Sequence, residues 1–495
     1  MLESNISILI AFILYLLFMV GIGWTYYGKT NTLSDYILGD RGLNGWVGAM
    51  SAQASDMSGW LLLGLPGYAY VAGLESCWIA FGLALGTWAN WKFVAERFRN
   101  YTEVSGDSIT LPDYFENRFR DSSHLLRIIS AIFILIFFLI YTASGFVAGA
   151  KLFSTVFGLP YSTALMIGVA VIISYTFLGG FMAVSWTDFF QGIIMIVAII
   201  IVPTLGVMKA GGLSSSLSGI SSINPEFLNA FTDANGAPLA FLSVISLMAW
   251  GLGYFGQPHI LARFMAIRTV TEMRKAKTIA MVWVVVSLSF AVVVGLVGLV
   301  CLDVPMASGE QEKIFMVMVD QLVPTMLAGV FLAAILAAIM STADSQLLVT
   351  SSALTEDFYK VLFRKEASDK ELVWVSRIAV MFVAVLAWYF ARNPESSVLG
   401  LVAYAWAGFG ATFGPIILLS LYWRRMTRNG ALAGIVAGGV TVIIWKQLAG
   451  GIFDLYEIVP GFLISVLTIM VVSLVGKEPS KEMIDEFDKV QGMMG

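Results

Sequence analysis

Two cysteines and two histidines in 495 residues leave little for redox, zinc or thiol–imidazole chemistry. Cys77 and Cys301 allow at most one disulfide, and neither stands at a metal-ligand spacing, so both read as small apolar residues. His124 lies in a basic stretch and reads as solvated; His259 follows Pro258 and reads as a hydrogen-bonded structural residue. No nucleophile–base pair or metal set can be assembled, which excludes the common hydrolase and metalloenzyme classes. Charge is scarce as well, at 13% Asp, Glu, Lys and Arg, and no nucleic-acid partner is expected.

What fills the chain is apolar surface. Hydrophobic residues make up 58% and the mean hydropathy is +0.83. They come in blocks of about 20 residues, the length that crosses about 30 Å of hydrocarbon as a helix. Thirteen blocks can be counted, at 5–26, 45–72, 74–94, 127–157, 161–179, 186–207, 237–262, 278–302, 324–352, 373–391, 398–423, 430–449 and 458–476. Met1–Tyr26 carries Glu3 instead of a basic flank and lacks a cleavage site, so it reads as a retained first span. With alternate connections facing opposite sides, 24 of the 29 Lys and Arg fall on one side, from Lys29 and Arg41 through Arg263–Lys277 to Lys477–Lys489. Only Lys151, Lys209, Lys313, Arg392 and Lys446 fall on the other, which predicts an outer N-terminus and an inner C-terminus. The connections 208–236 and 303–323 read as outer caps, and the tail from Lys477 as too short to fold alone. A single membrane domain, 1–495, is expected, embedded in lipid and functional as a monomer.

Two of the blocks carry helix breakers. The second contains Ser55-Asp56-Met57-Ser58-Gly59, and the seventh, five blocks later, contains Gly251, Gly253, Gly256 and Pro258. Clustered glycine and proline free backbone groups that hydrocarbon cannot satisfy, so such stretches line polar cavities. Interrupted first helices in two successive five-span halves point to an inverted-repeat transporter, with repeats at 45–207 and 237–423. The blocks 5–26, 430–449 and 458–476 are then accessory helices.

The polar residues inside the blocks are few. A carboxylate at bilayer depth costs at least roughly 2.5–3.5 kcal/mol, so Asp56 is expected to face protein or a bound ion. Ser341, Asp344 and Ser345 share one helix face, with Thr342 beside them. Hydroxyls with freed carbonyls suit a hard monovalent cation, although Ser and Thr in apolar helices also bond back to their own backbone and let helices pack closely. Asp188 reads either as a helix-end aspartate near the helix dipole or as part of a cation site. Glu75 reads as interfacial, and Lys446 as a snorkelling residue. Trp60, Tyr141, Trp250 and Tyr254 fall within blocks beside Ser, Gly or Pro, where they can wall a pocket for a small amphipathic solute or simply pack.

Four runs are distinctive: Ser55–Gly67 (SDMSGWLLLGLPG), Trp250–Phe264 (WGLGYFGQPHILARF), Ala403–Pro415 (AYAWAGFGATFGP) and Arg425–Ile435 (RMTRNGALAGI). They closely resemble proline-transporting members of the sodium/solute symporter family, and the resemblance covers nearly the whole chain. It implies an all-α polytopic fold of thirteen transmembrane helices with a LeuT-like five-plus-five inverted repeat, its first helix broken in each repeat. It implies a Na⁺ site from the backbone of Ala54, Met57 and Ala338 and the hydroxyls of Ser341 and Thr342, with Asp56 organising it. It implies an L-proline site from Ser58, Gly59, Tyr141, Trp250, Tyr254 and Pro258. Asp188, Asp344 and Ser345 are candidates for a second cation. The expected activity is Na⁺-coupled L-proline import across the bacterial cytoplasmic membrane by alternating access. Another amino acid or a carboxylate is the alternative solute; a sensor would need an output domain that the short tail does not supply.

Overall fold

The apolar block at 45–72 does not run as one helix. A helix forms from Gly45 to Met57, capped by Asn44, whose Oδ1 accepts from the Val47 amide at 3.0 Å. It stops at Ser58, which stands at φ +50° and ψ −172°. That corner of backbone space belongs almost wholly to glycine, and a residue with a side chain pays about 1–3 kcal/mol to occupy it. The turn beyond satisfies itself locally. The Leu61 amide donates to Met57 O at 3.1 Å, the Leu63 amide to Gly59 O at 3.0 Å, and the Trp60 amide to Ser58 Oγ at 3.1 Å. Helix resumes at Gly64.

The structure is a computed structural model that describes residues 2–27, 32–176 and 180–493. In chain order its helices begin with α1 (Leu2–Tyr27), α2 (Leu33–Leu38), α3 (Gly45–Met57), α4 (Gly64–Ala72), α5 (Cys77–Ala89), α6 (Ala95–Val104) and α7 (Leu111–Arg118). Next come α8 (Leu125–Phe157), α9 (Tyr161–Thr176), α10 (Phe181–Lys209), α11 (Leu213–Ile223), α12 (Phe241–Met248), α13 (Pro258–Ala266) and α14 (Val270–Cys301). The last are α15 (Ile314–Leu322), α16 (Thr325–Ser352), α17 (Asp369–Phe390), α18 (Val398–Tyr422), α19 (Arg428–Trp445), α20 (Ile458–Val475) and α21 (Lys481–Gly492). Among the described residues there is no named strand; the parallel bridge between Leu43 and Ile267 ties the start of α3 to the end of α13.

Ten helical stretches among the described residues are long and apolar enough to cross a membrane, against thirteen apolar blocks in the sequence. The three blocks that differ have a common cause, which is interruption or shortness. Block 45–72 is split at Ser58. Block 237–262 holds the eight-residue α12, a 3₁₀ segment at Ala249–Gly256 and α13, which starts at Pro258. Block 161–179 forms the 16-residue α9, and its end lies outside the described residues, as does Lys29. The centre of the molecule is α16: its span is 89% buried, against 28% for that of α1 and 33% for that of α20. Around it pack α8, α10, α1, α17 and α3.

Several local expectations meet their outcome here, and those for the two histidines are corrected. The tail folds as the amphipathic α21, held by ion pairs of Arg120 with Glu486 and of Arg424 with Asp488, and by Gln491 Nε2 donating to Leu421 O at 2.9 Å. His124 Nδ1 meets Glu116 at 2.9 Å and is not merely solvated. His259 is not hydrogen-bonded through its ring: both nitrogens are buried without a partner, because the imidazole is wedged against Phe138 and Tyr141. Lys446 pairs with Glu457 at 3.3 Å. Both cysteines are free.

The 3₁₀ segment is admitted against α18 only by glycine. A Cβ on Gly253 would lie 1.9 Å from Trp406 Nε1. Gly253→Ala is expected to cost about 1–3 kcal/mol through overpacking, read as a lowered melting temperature of the purified protein. Gly21→Ala, which meets nothing within 4 Å, should leave it unchanged; equal melting of both variants would refute the close approach.

Candidate functional site

Ending a helix leaves its last carbonyls without intrahelical donors, and these carry the negative end of the helix dipole. At the end of α3 the freed oxygens find partners from three directions. Ala54 O accepts from Ser341 Oγ of α16 at 2.8 Å, Asp56 O from Tyr141 OH of α8 at 3.1 Å, and Met57 O from the Leu61 amide at 3.1 Å. On α16, Ser341 Oγ also lies 3.2 Å from Ala338 O, as does Thr342 Oγ1. Ala54, Ala338, Ser341 and Thr342 are thus brought into one buried, all-oxygen cluster at the negative end of α3. Such a set suits a hard monovalent cation.

Asp56 turns the other way. Its Oδ2 accepts from Tyr254 OH at 2.6 Å. Both residues line a small cavity with Trp60, Tyr141, Trp250 and Trp406. Trp250 stands between Trp60, at 5.4 Å between ring centroids, and Tyr456, at 5.5 Å. Tyr254 meets Trp406 edge-on at 5.1 Å. The cage is braced by Trp406 Nε1 donating to Trp250 O at 2.7 Å and by Asn90 Nδ2 donating to Tyr254 O at 3.0 Å. The Trp60 Nε1 donor is buried without a partner.

Ser58 and Gly59 line a small neighbouring cavity with Tyr141, Ser144, Thr342 and Gln346. Tyr141 therefore borders both spaces, and Thr342 connects the second with the oxygen cluster. Pro258 is not with them. It starts α13 and borders a third cavity with Thr110, Ser352 and Asp357.

Asp188 sits two turns inside α10, not at its end, and is fully buried. Its partner is Arg263, which the charge pattern had placed among loop residues but which is itself fully buried in α13. The guanidinium spans three groups: Asp188 Oδ2 at 3.1 Å, Ser51 Oγ at 3.0 Å and Ser345 Oγ at 2.5 Å. Ser345 Oγ lies 3.4 Å from Asp344 Oδ1. The structure thus gathers Asp188, Asp344 and Ser345 around a cation that the chain itself supplies.

Glu312 ties α8 to the start of α18. Glu312 accepts from Lys151 Nζ at 2.6 Å, from Ser397 Oγ at 2.9 Å and from the Leu399 amide at 3.0 Å. Burial works against its charge, but Lys151 and the Leu399 amide outweigh it and hold the carboxyl below its usual range. Trp406, Asn90 and Arg263 escaped the sequence reading as site residues. Trp406 carried a signal, a tryptophan flanked by small residues within a span; Asn90 and Arg263 carried none, because nothing local distinguishes a buried cation from a loop one.

The family model described as "Sodium:solute symporter family" matches residues 36–438. The sodium/proline symporter of Salmonella typhimurium (strain LT2) is 51% identical over 486 residues, covering 97% of this chain and 95% of that one. The high-affinity proline transporter PutP of Bacillus subtilis (strain 168) is 49% identical over 478 residues, covering 96% and 100%. A solved Na⁺-coupled sialic acid symporter, in a substrate-bound outward-open state, shares the fold with a TM-score of 0.77 at 18% identity, covering 96% of this chain and 99% of that one. The chain is a multi-pass membrane protein and belongs to the sodium:solute symporter family.

A double-mutant cycle tests the buried pair. Arg263→Gln and Asp188→Asn, alone and together, should show a coupling in unfolding free energy of about 1.5–3 kcal/mol, the scale of a charged hydrogen bond. Additive effects would mean that the two do not act as a pair.

Proposed function

We propose that this protein is a Na⁺-coupled L-proline importer of the bacterial cytoplasmic membrane. The single observation that carries the reading is the contact of Ser341 with the freed Ala54 carbonyl, which joins α3 to α16 through oxygens. The relatives named as proline symporters support the choice of solute and ion. Na⁺ is bound by the backbone oxygens of Ala54, Met57 and Ala338 and by the Ser341 and Thr342 hydroxyls, and Asp56 organises the site from the break. Proline, a small zwitterion with an apolar ring, is held by Tyr141, Trp250 and Tyr254, with Ser58 and Gly59 contributing from the adjoining cavity. Trp60 offers a spare donor for its carboxylate. Pro258 acts one step away, as the point where α13 begins.

Thirteen crossings follow if the three interrupted or short blocks each count as one. Spans 2–6 and 7–11 are then inverted repeats whose first members break at Ser58 and at Ala249–Gly256. The N-terminus is outside, the C-terminus inside, and the unit of transport is one chain. The cluster of Asp188, Asp344 and Ser345 takes a second cation only in a conformation in which Arg263 withdraws.

The test is equilibrium binding of labelled L-proline to the purified protein. Na⁺ in place of choline should tighten binding at least about tenfold, and proline must tighten Na⁺ binding by the same factor. Binding that ignores Na⁺, or that prefers another amino acid, would overturn the proposal.

Two substitution series follow. Thr342→Ala should raise the Na⁺ concentration for half-maximal binding more than it weakens proline binding at saturating Na⁺; an unchanged Na⁺ dependence removes Thr342 from the site. Asp56→Glu should keep part of Na⁺-dependent uptake, while Asp56→Asn, which keeps shape but loses the charge, should abolish it. Asparagine working as well as aspartate would show that Asp56 serves only as a hydrogen-bond acceptor for Tyr254.

A further inference from the structure

The cavity that Pro258 borders has a carboxylate in its wall that the proposed transport site does not use. Asp357 lies in the π-helical segment Ala353–Phe363 that continues α16, and it is fully buried. Its Oδ1 is saturated, accepting from Arg127 Nε at 2.7 Å and from Thr110 Oγ1 at 3.1 Å. Its Oδ2 is buried with no partner. Arg127 also meets Asp113 at 3.2 Å, Glu116 at 3.3 Å and Glu356 at 3.2 Å. Lys360 adds a second cation, 2.9 Å from Glu356. Four carboxylates therefore meet two permanent cations in this cluster, beside the cavity.

The same face of α16 connects this cavity with the transport site. Thr342 and Gln346 line the cavity next to the oxygen cluster; Val349 and Ala353 line the one at Asp357. Their spacing of four, three and four residues is one helical stripe. On it lies a further buried polar atom without a protein partner, Gln346 Nε2. Such an atom calls for water, so the stripe offers a hydrated step between the two cavities. An unpartnered carboxylate oxygen with the Ser352 hydroxyl nearby on the cavity wall suits a partly hydrated monovalent cation.

We propose that Asp357 Oδ2 is a second, transient sodium-binding position, on the inner side, that receives the ion leaving Ser341 and Thr342 along this stripe of α16. This rests on the sodium-coupled reading above. Arg127 and Thr110 fix the carboxylate by its other oxygen, which leaves Oδ2 without a protein partner in the residue that lines the cavity.

The experiment uses the full chain in right-side-out membrane vesicles loaded with Na⁺. Asp357→Asn should raise the lumenal Na⁺ that half-inhibits proline uptake by about tenfold, and shift the external half-saturating Na⁺ within about twofold, as loss of one inner charge contact predicts. An equal shift at both faces, or none at the inner face, overturns the proposal. A second measurement does not depend on that variant folding. In Ser352→Cys, modification by a cationic methanethiosulfonate should be slowed about fivefold by Na⁺, relative to choline, without any proline; an unchanged rate overturns it. A protein that shows this protection yet transports no proline with Na⁺ refutes the transport reading and leaves the inner site standing.

Discussion

Everything in this molecule turns on the place where α3 stops. A buried carbonyl left without a donor costs about 1–3 kcal/mol, and the end of α3 exposes several at the depth where neither lipid nor bulk water can serve them. The chain answers with side chains from two other helices, Ser341 of α16 and Tyr141 of α8. The break therefore does two things at once. It concentrates oxygens and the negative helix end at one point, and it makes the position of α3 depend on α16. An ion that supplies the same oxygens strengthens that dependence, which is a physical basis for linking ion binding to the shape of the adjoining cavity.

The aromatic cage is built on the same break. Asp56, one residue before the helix ends, reaches Tyr254 on the interrupted seventh block, and Tyr254 in turn packs on Trp406. The cage is thus assembled from two interrupted segments facing each other, with α18 closing the side through a glycine contact at Gly253. Away from it the helices are continuous and capped, as at Thr269 on α14 and Thr427 on α19. Rigid spans hold the soft segments in register. The proposed solute and ion sites are neighbours because Tyr141 and Thr342 line one cavity between them.

Much of this was legible in the residues. Apolar blocks marked the spans, and Ser58–Gly59 and the Gly251–Pro258 run marked the interruptions, because proline and glycine act locally. The shared helix face of Ser341, Asp344 and Ser345, with Thr342 beside them, marked hydroxyls for a cation, and the resemblance singled out Ser341 and Thr342. What depended on long-range packing was hidden. Arg263 looked like a loop cation because charge alone does not reveal burial, and its partner Asp188 lies 75 residues away in the chain. Pro258 shares a motif with Tyr254 but faces another cavity, since the turn at Gln257 redirects the chain. The tail was read as too short to fold alone, and it folds by docking Met483, Phe487 and Val490 against the bundle, which supplies the stability that propensity does not.

The central claim is that the ion gradient and the solute meet at the break of α3. Flux in proteoliposomes under an imposed inward Na⁺ gradient and an interior-negative potential measures this most directly. A potential of 100 mV contributes about 2.3 kcal/mol per charge and a tenfold gradient about 1.4 kcal/mol, enough with one Na⁺ to concentrate a neutral zwitterion roughly 500-fold. The account predicts labelled proline rising well above its external concentration and falling back when Na⁺ is equalised and the potential removed. Accumulation that persists without Na⁺, or proline that never exceeds its external concentration, would contradict it.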